Sequence, residues 1–420
     1  MHMWMEQISI TNFKSIESLH LQFKPGINLL TGDNGVGKTT ILEAVTVAMG
    51  DFLNGMAEIP KKGIAPSDVR IDTKNIADAS QQVTFFTPTT IESVFSDGAL
   101  VLRGQVTRRD QTSSSRTRYL GNEIAAYAKE ITNGENIMLP IFSYFSTSRL
   151  APPKKEDFAV ASKNKLNDRR CGYIGCFENN LDIKAIKAWC LKMEMAAFQQ
   201  RKEITEYQAF NDRVSFFMSR MNDLDERPGV FYSRAFEDIV YTENGETLPV
   251  SYLSAGYQSL LWMVMDLAFR MALLNPAEND LRKGKGIVLI DEIDMHLHPK
   301  WQWKIVNTLQ ETFPWVQFVI ATHSPIIISS CRNANLIQID CHGQVQYLPD
   351  AYAFSVEDVL EFRQGSHGGL EEVRKLYEQF ERAMNEDDYE SAETILAEMT
   401  DHFGEDNTEV KMARMELNLL

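Results

Sequence analysis

Residues 27–40 read INLLTGDNGVGKTT. A strand-like run ends in a glycine-rich segment, and the segment opens a helix-periodic stretch from Thr39 to Met49. Gly32-Asp33-Asn34-Gly35-Val36-Gly37-Lys38-Thr39 satisfies the pattern G-x-x-x-x-G-K-[ST] in full, and Thr40 follows it. The glycines let the backbone curl until its N–H groups face phosphate oxygens, and the helix N-terminus adds positive potential. Lys38 is placed for the β- and γ-phosphates of ATP, and the Thr39 hydroxyl for Mg²⁺.

Two further strand ends carry polar groups. Ile287-Val-Leu-Ile290 is a short unbroken apolar run of the parallel-sheet type, and it ends in Asp291-Glu292. Asp291 at the strand edge can hold Mg²⁺, and Glu292 can polarise a water for in-line attack on the γ-phosphate. A second such run, Val316 to Ala321, is followed by Thr322-His323-Ser324. Open α/β sheets place their sites at these carboxyl ends, where His323 can hydrogen-bond the γ-phosphate. Lys38, Glu292 and His323 are therefore the expected catalytic set. A fourth signal, Leu253-Ser254-Ala255-Gly256-Tyr257-Gln258, opens a helix that is apolar nearly all round and is predicted to be buried.

A phosphate loop, LSAGYQ, a strand-terminal DE and a strand-terminal His, in that order, resemble the ABC-type ATPases, whose usual signature is LSGGQ. The resemblance implies that two heads dimerise head to tail, with Ser254 and Gly256 of one head capping the nucleotide held by the other. Ala255 stands where the family has a second glycine. No glutamine follows the strand in SYFSTSRL, where the family has one, and Arg149 or Ser146 is the candidate substitute. The start ISITNFKSIESLHLQF and the run DEIDMHLHPKWQ look like heads of the structural-maintenance, Rad50 and OLD-type class, with Asp294 matching the dimer-contact loop. With YFSTSR and LSAGYQSLLWMVMDLA, the chain resembles short bacterial antiphage ATPases of the Septu and retron-associated kind. That resemblance implies a regulatory ATPase controlling a separate HNH-type nuclease. The alternative is a Rad50-like repair or maintenance ATPase that clamps DNA without a nuclease partner. The segment after His323 carries neither a Toprim-like acid set nor an HNH histidine cluster, so no nuclease is expected in the chain itself.

The rest of the sequence sets the frame. At 420 residues the chain is too long for one core. An α/β head is expected with an antiparallel β subdomain, a helical insertion and acidic C-terminal helices. The boundaries are 1–150 for the phosphate-loop lobe with the β subdomain and 151–250 for the helical insertion. Residues 251–345 form the lobe with signature, DE and His, and 346–420 the acidic tail. Ile8 to Leu30 reads as two strands with a turn at Lys24-Pro25-Gly26, and Gln111 to Arg116 as a mobile loop.

Net charge is −16, which argues against a general nucleic-acid coat. Residues 371–420 hold fifteen Asp/Glu against five Lys/Arg, a net of −10, leaving −6 for the first 370. DNA contact is thus confined to local clusters: Arg103, Arg108, Arg109, Arg116 and Arg118, and then Lys154, Lys155, Lys163, Lys165, Arg169 and Arg170. Leu376, Tyr377, Phe380, Tyr389, Ile395, Leu396 and Met399 form an apolar stripe in the tail, read as an anchor for a basic partner or as a face packed on the head. Five irregularly spaced cysteines make no zinc pattern and fit a reducing cytoplasm. No secretory leader or membrane span is expected.

Overall fold

The computed structural model describes residues 3–53, 59, 62–77, 80–96, 101–118, 137–150, 169–356, 358–360, 371–386, 388–405 and 407–417. The chain forms two compact units, Met1–Val356 and Glu357–Leu420.

The first unit is organised by a six-stranded sheet. Its members are β3 (Ile27–Thr31), β9 (Ile141–Phe145), β13 (Lys285–Ile290), β14 (Trp315–Ala321), β15 (Asn335–Ile339) and β16 (Val345–Leu348), in the order β16-β15-β3-β14-β13-β9. All neighbours are parallel except the β15–β16 pair. Strands covered on both faces must be apolar throughout, and every residue of β3 and β9 is buried. Because β9, β13, β14 and β3 are adjacent and parallel, their carboxyl ends open side by side.

A second, antiparallel sheet runs β2-β1-β6-β7-β8, built from β1 (Trp4–Phe13), β2 (Ile16–Gln22), β6 (Thr89–Ser96), β7 (Val101–Arg108) and β8 (Arg116–Arg118). Its hydrophobic residues alternate inward, as at Ile8, Ile10, Ile91 and Phe95. A separate hairpin joins β4 (Ile71–Ala77) to β5 (Ser80–Phe85). Ile8 to Leu30 is thus three strands, not two. The unread turn lies at Lys14-Ser15, closed by the Phe13–Ile16 pair, with Asn12 and Lys14 at positive φ. The Gln111–Arg116 stretch closes as a turn: Asp110 Oδ1 accepts from the backbone N–H of Thr112 (2.9 Å) and Ser113 (2.6 Å), and β8 begins at Arg116. The helix α1 (Lys38–Leu53) packs on β1, β6 and β7 on one side and on β14 on the other. It is accordingly apolar nearly all round, with Ile41, Leu42, Val45, Ala48 and Met49 buried.

The helical insertion is α2 (Ile183–Gln200) and α3 (Thr205–Asn222), followed by the small sheet β10 (Gly229–Ser233), β11 (Asp238–Glu243) and β12 (Glu246–Pro249). Asp182 caps α2 by accepting from Ala185 N at 3.0 Å. These helices lie on α4 (Ala255–Leu274), with Trp189 meeting Tyr207, Phe210 and Phe269 edge-on at 5.8, 5.3 and 5.4 Å. Inside the apolar body of α4 sits a buried ion pair, Arg270 Nε to Asp266 Oδ2 at 2.7 Å. Ser143 donates to the same carboxylate oxygen, and Arg270 Nη1 donates to the carbonyls of Gly172 and Ile174. The distal half of α4 is thereby fastened to β9 and to the segment before α2. The chain continues through α5 (Pro299–Gln302), α6 (Ile305–Thr312) and α7 (Pro325–Ser330).

The second unit is three helices, α8 (Glu371–Asn385), α9 (Tyr389–Phe403) and α10 (Thr408–Leu417). They share a core of Phe380, Ala383, Ala392, Leu396, Met399, Val410 and Ala413, flanked by Leu376, Tyr377 and Ile395. This corrects the reading of the apolar stripe as a partner's anchor. Of its positions only Tyr389 is well exposed, because the three helices use the rest to bury one another.

Candidate functional site

The phosphate-loop segment leaves β3 and enters α1 with Gly32, Gly35 and Gly37 all at positive φ (138, 85 and 96°). A Cβ at Gly32 would lie 2.2 Å from the Ile339 carbonyl oxygen, so the loop can pass under β15 only without a side chain. The curl gathers a cavity of about 210 Å³ lined by Ser15, Asn34, Gly35, Gly37, Lys38, Thr39, Thr40, Asp291, Glu292 and His323. Gly32, Asp33 and Val36 shape the loop without lining the cavity.

Lys38 is buried, and its Nζ donates to the carbonyls of Gly32 and Asp33 at 2.8 Å each. Burial lowers its pKa from the usual lysine value, opposed by Asp291, Asp33, Glu292 and Asp294. Thr39 Oγ1 donates to Asp291 Oδ2 at 2.8 Å, joining the first turn of α1 to the exit of β13. The Asp291 carboxyl is pushed up by burial, then by Glu292 and Glu43, while the Thr39 hydrogen bond and Arg149 pull it down. Its backbone N–H is held by Phe145 O at 2.8 Å. Glu292 sits at φ 44°, the left-handed region that L-residues seldom adopt. Asp294 accepts from Thr322 Oγ1 at 2.6 Å, tying the turn after β13 to the end of β14. His323 follows there. Burial, and then Lys38, lower its pKa, against Asp294, Glu292 and Asp33.

A triphosphate fits this arrangement on the observation of the loop itself. Three glycines at positive φ and the start of α1 curl the backbone around Lys38, and the Thr39 hydroxyl and Asp291 carboxylate stand together at the rim of the cavity. Among the described residues no three His, Cys, Asp or Glu side chains cluster as a complete metal cage. A Thr–Asp pair instead suits a Mg²⁺ that keeps waters and takes phosphate oxygens.

The signature lies elsewhere. Ser254 caps α4, and neither it nor Gly256 lines the cavity. Ser254 and Ala255 are exposed, whereas Gly256 is buried where a Cβ would meet His296 O at 2.8 Å and the Trp301 ring at 3.0 Å. Tyr257 crosses Trp301 edge-on at 4.8 Å, and Asn222 bonds Tyr257, Trp301 and Glu243. Arg149 and Ser146 do not line the cavity either; Ser146 Oγ donates to Asn179 O at 2.6 Å.

Sequence reasoning missed Ser15. The Lys14-Ser15 turn folds over Gly37, and Lys14 pairs with Glu43 of α1. Of the basic clusters, Arg108 is corrected to a structural residue: it is buried and donates to the carbonyls of Ile64 and Gln111. Arg103, Arg109 and Arg116 are exposed. Lys154, Lys155, Lys163, Lys165 and the side chain of Arg118 lie outside the described residues. Among the described residues no helix is long and apolar enough to cross a membrane.

The chain matches the family described as "AAA domain" over residues 7–223 and that described as "AAA ATPase domain" over residues 178–328. It is similar to the retron Vc95 probable ATPase of Vibrio cholerae serotype O1 biovar El Tor, 23% identical over 79% of this chain and 72% of the relative. It is also similar to the Septu protein PtuA of Bacillus thuringiensis, 26% identical over 92% and 90%. Among solved structures, the Smc head bound to the C-winged helix domain of ScpA aligns with a TM-score of 0.49 at 14% identity, covering 83% of this chain and 96% of that one. The first family match alone spans more than half of the chain, which thus belongs to the AAA domain family and is an ATPase.

Proposed function

We propose that this chain is the regulatory ATPase of a cytoplasmic antiphage assembly, closing head to tail on ATP·Mg²⁺ and controlling a separate HNH-type nuclease. The observation that carries the reading is the convergence of Lys38, Thr39, Asp291, Glu292 and His323 on one cavity, in a chain whose long matches are to Septu and retron ATPases. Gly32 to Thr40 cradle the phosphates, and Lys38 shifts from its carbonyl partners to the β- and γ-oxygens. Thr39 and Asp291 would hold Mg²⁺, which would supply charge neutralisation when bound. Glu292 orients and deprotonates the attacking water, and His323, held neutral, hydrogen-bonds the γ-phosphate. The exposed Ser254 end of α4 serves the partner head's nucleotide, with Gly256 seating that end on Trp301.

Mixing two inactive variants tests the shared site. Lys38→Ala and Ser254→Arg each lose turnover alone. Their mixed dimer holds one site with both lesions and one with neither, so activity returns. No recovery with verified subunit exchange rejects head-to-tail closure. For the nuclease, the native neighbours are co-purified. A partner that cuts DNA, while the isolated chain does not, supports the reading. Cleavage by the isolated homogeneous chain refutes it.

A further inference from the structure

We propose that Arg149 is a positioning residue that links the signature helix to the Glu292 turn, passing movement at the start of α4 to the carboxylate beside the phosphate loop. The proposal rests on the reading of Glu292 as the group that polarises the attacking water.

Arg149 stands just past β9 and is 2% exposed. Its guanidinium is a rigid fork of donors with no acceptor, so each partner direction is fixed by the same plane. Nε donates to Ser259 Oγ of α4 at 3.2 Å. Nη1 donates to Ser146 O at 3.2 Å and to Asp291 O at 3.1 Å, and Nη2 reaches Glu292 O at 3.4 Å. One side chain thus holds the exit of β9, the exit of β13 and the second turn of the signature helix. Burial works against its charge, and Asp291, Asp294 and Glu292 favour it. It does not line the phosphate cavity, so its action is on backbone rather than on nucleotide.

Two features give the link a direction. Glu292 adopts φ 44°, a conformation that persists only where the surroundings over-determine it. The Glu292 carbonyl is held on one side by Met295 N at 3.1 Å and on the other by Arg149. The distal half of α4 is anchored by the Asp266–Arg270 pair, whereas its first turn packs through Gly256 and Tyr257 on Trp301 and ends in the exposed Ser254. A contact that shifts this end moves Ser259. Arg149 must then follow or lose that bond, and in following it redirects the turn carrying Glu292. Coupling of this kind travels through packed side chains and hydrogen bonds that connect rigid elements.

The test measures ATP affinity by calorimetry and turnover separately, for Arg149→Lys and Ser259→Ala, each with and without Glu292→Gln. A lysine keeps the charge and loses the fork. Arg149→Lys should lower kcat about 10- to 100-fold, the scale of hydrogen bonds to a charged group, with ATP affinity held within about twofold. Ser259→Ala, which removes one hydroxyl and keeps the test open should Arg149→Lys not fold, should lower kcat about 2- to 10-fold with ATP affinity unchanged. Neither change should slow Glu292→Gln further, because the group they position is already gone. Arg149→Ala should regain part of its turnover when guanidinium ion is added. The proposal is overturned by wild-type turnover in both single variants, by ATP affinity falling in step with kcat, or by losses that add to that of Glu292→Gln. If Glu292→Gln itself turns over at the wild-type rate, the role of Glu292 fails and the proposal with it. A slow Glu292→Gln beside a fast Arg149→Lys and Ser259→Ala rejects the Arg149 link alone.

Discussion

Two helices of this molecule open beneath segments of small residues, and they use them in opposite ways. At α1 the glycines take positive φ, the backbone curls, and the helix end becomes the floor of a cavity that its own chain completes with Asp291, Glu292 and His323. At α4 the segment Ser254-Ala255-Gly256 contains no left-handed residue. Ser254 caps the helix from an extended conformation, and Gly256 is small because His296 O and Trp301 press against it. Glycine in the first segment supplies conformation, and in the second it supplies clearance. A small-residue signature therefore does not by itself say that the backbone wraps a ligand. Ser254 and Ala255 at the α4 end are exposed and line no part of the phosphate-loop cavity.

The comparison is broken most directly at its charged groups. Lys38→Ala should weaken ATP binding about 10- to 100-fold, the loss of hydrogen bonds to a charged donor. Ser254→Arg should leave ATP affinity of the single chain unchanged in calorimetry; a parallel loss would place both segments at one intramolecular site. The glycines sharpen it next. Gly256→Ala should cost about 1–3 kcal/mol of stability through overpacking against a backbone carbonyl. Gly35→Ala, with open space around it but φ 85°, should cost about 1 kcal/mol through conformation alone. Thermal unfolding that ranks them the other way contradicts the assignment of clearance and conformation. Ser254→Ala should remove about 1 kcal/mol of capping without touching nucleotide affinity.

The smallest effect is one of pH. His323 is held below its ordinary 6.5 chiefly by burial, so the unfolded state binds more protons in the window beneath 6.5. Its share of stability is present above 6.5 and is lost as pH falls toward the folded value. An acid limb of kcat should accordingly lie below pH 6.5 and weaken in His323→Gln. A limb unmoved by that change belongs to Asp291, whose carboxyl burial pushes upward.

What could be read from the sequence was whatever chemistry the chain writes locally. The phosphate loop, the Asp291-Glu292 pair and His323 each follow a recognisable apolar strand, so their meeting at one sheet edge follows from parallel pairing. Ser15 was not legible because it reaches the cavity through a hairpin turn at Lys14 that contains neither glycine nor proline. Arg108 and the Asp266–Arg270 pair look like surface charge and helix polarity in one dimension. Only the folded chain shows their carbonyl and carboxylate partners. The tail stripe was visible as a stripe, but spacing reports that a face is apolar and not what covers it.

The position of β3 has a consequence for how the molecule is made. It is drawn from the first thirty-one residues, yet its two neighbours are β14 and β15, the former paired with it from Ile27 opposite Phe318. At roughly 5–20 residues per second of synthesis, β3 waits on the order of 15–60 s for either neighbour to leave the ribosome. During that interval a complete phosphate-loop motif exists on a strand with both edges open, and such edges pair readily with other chains. A transcript truncated before Trp315 would release a polypeptide that carries the nucleotide motif without the sheet that shapes it.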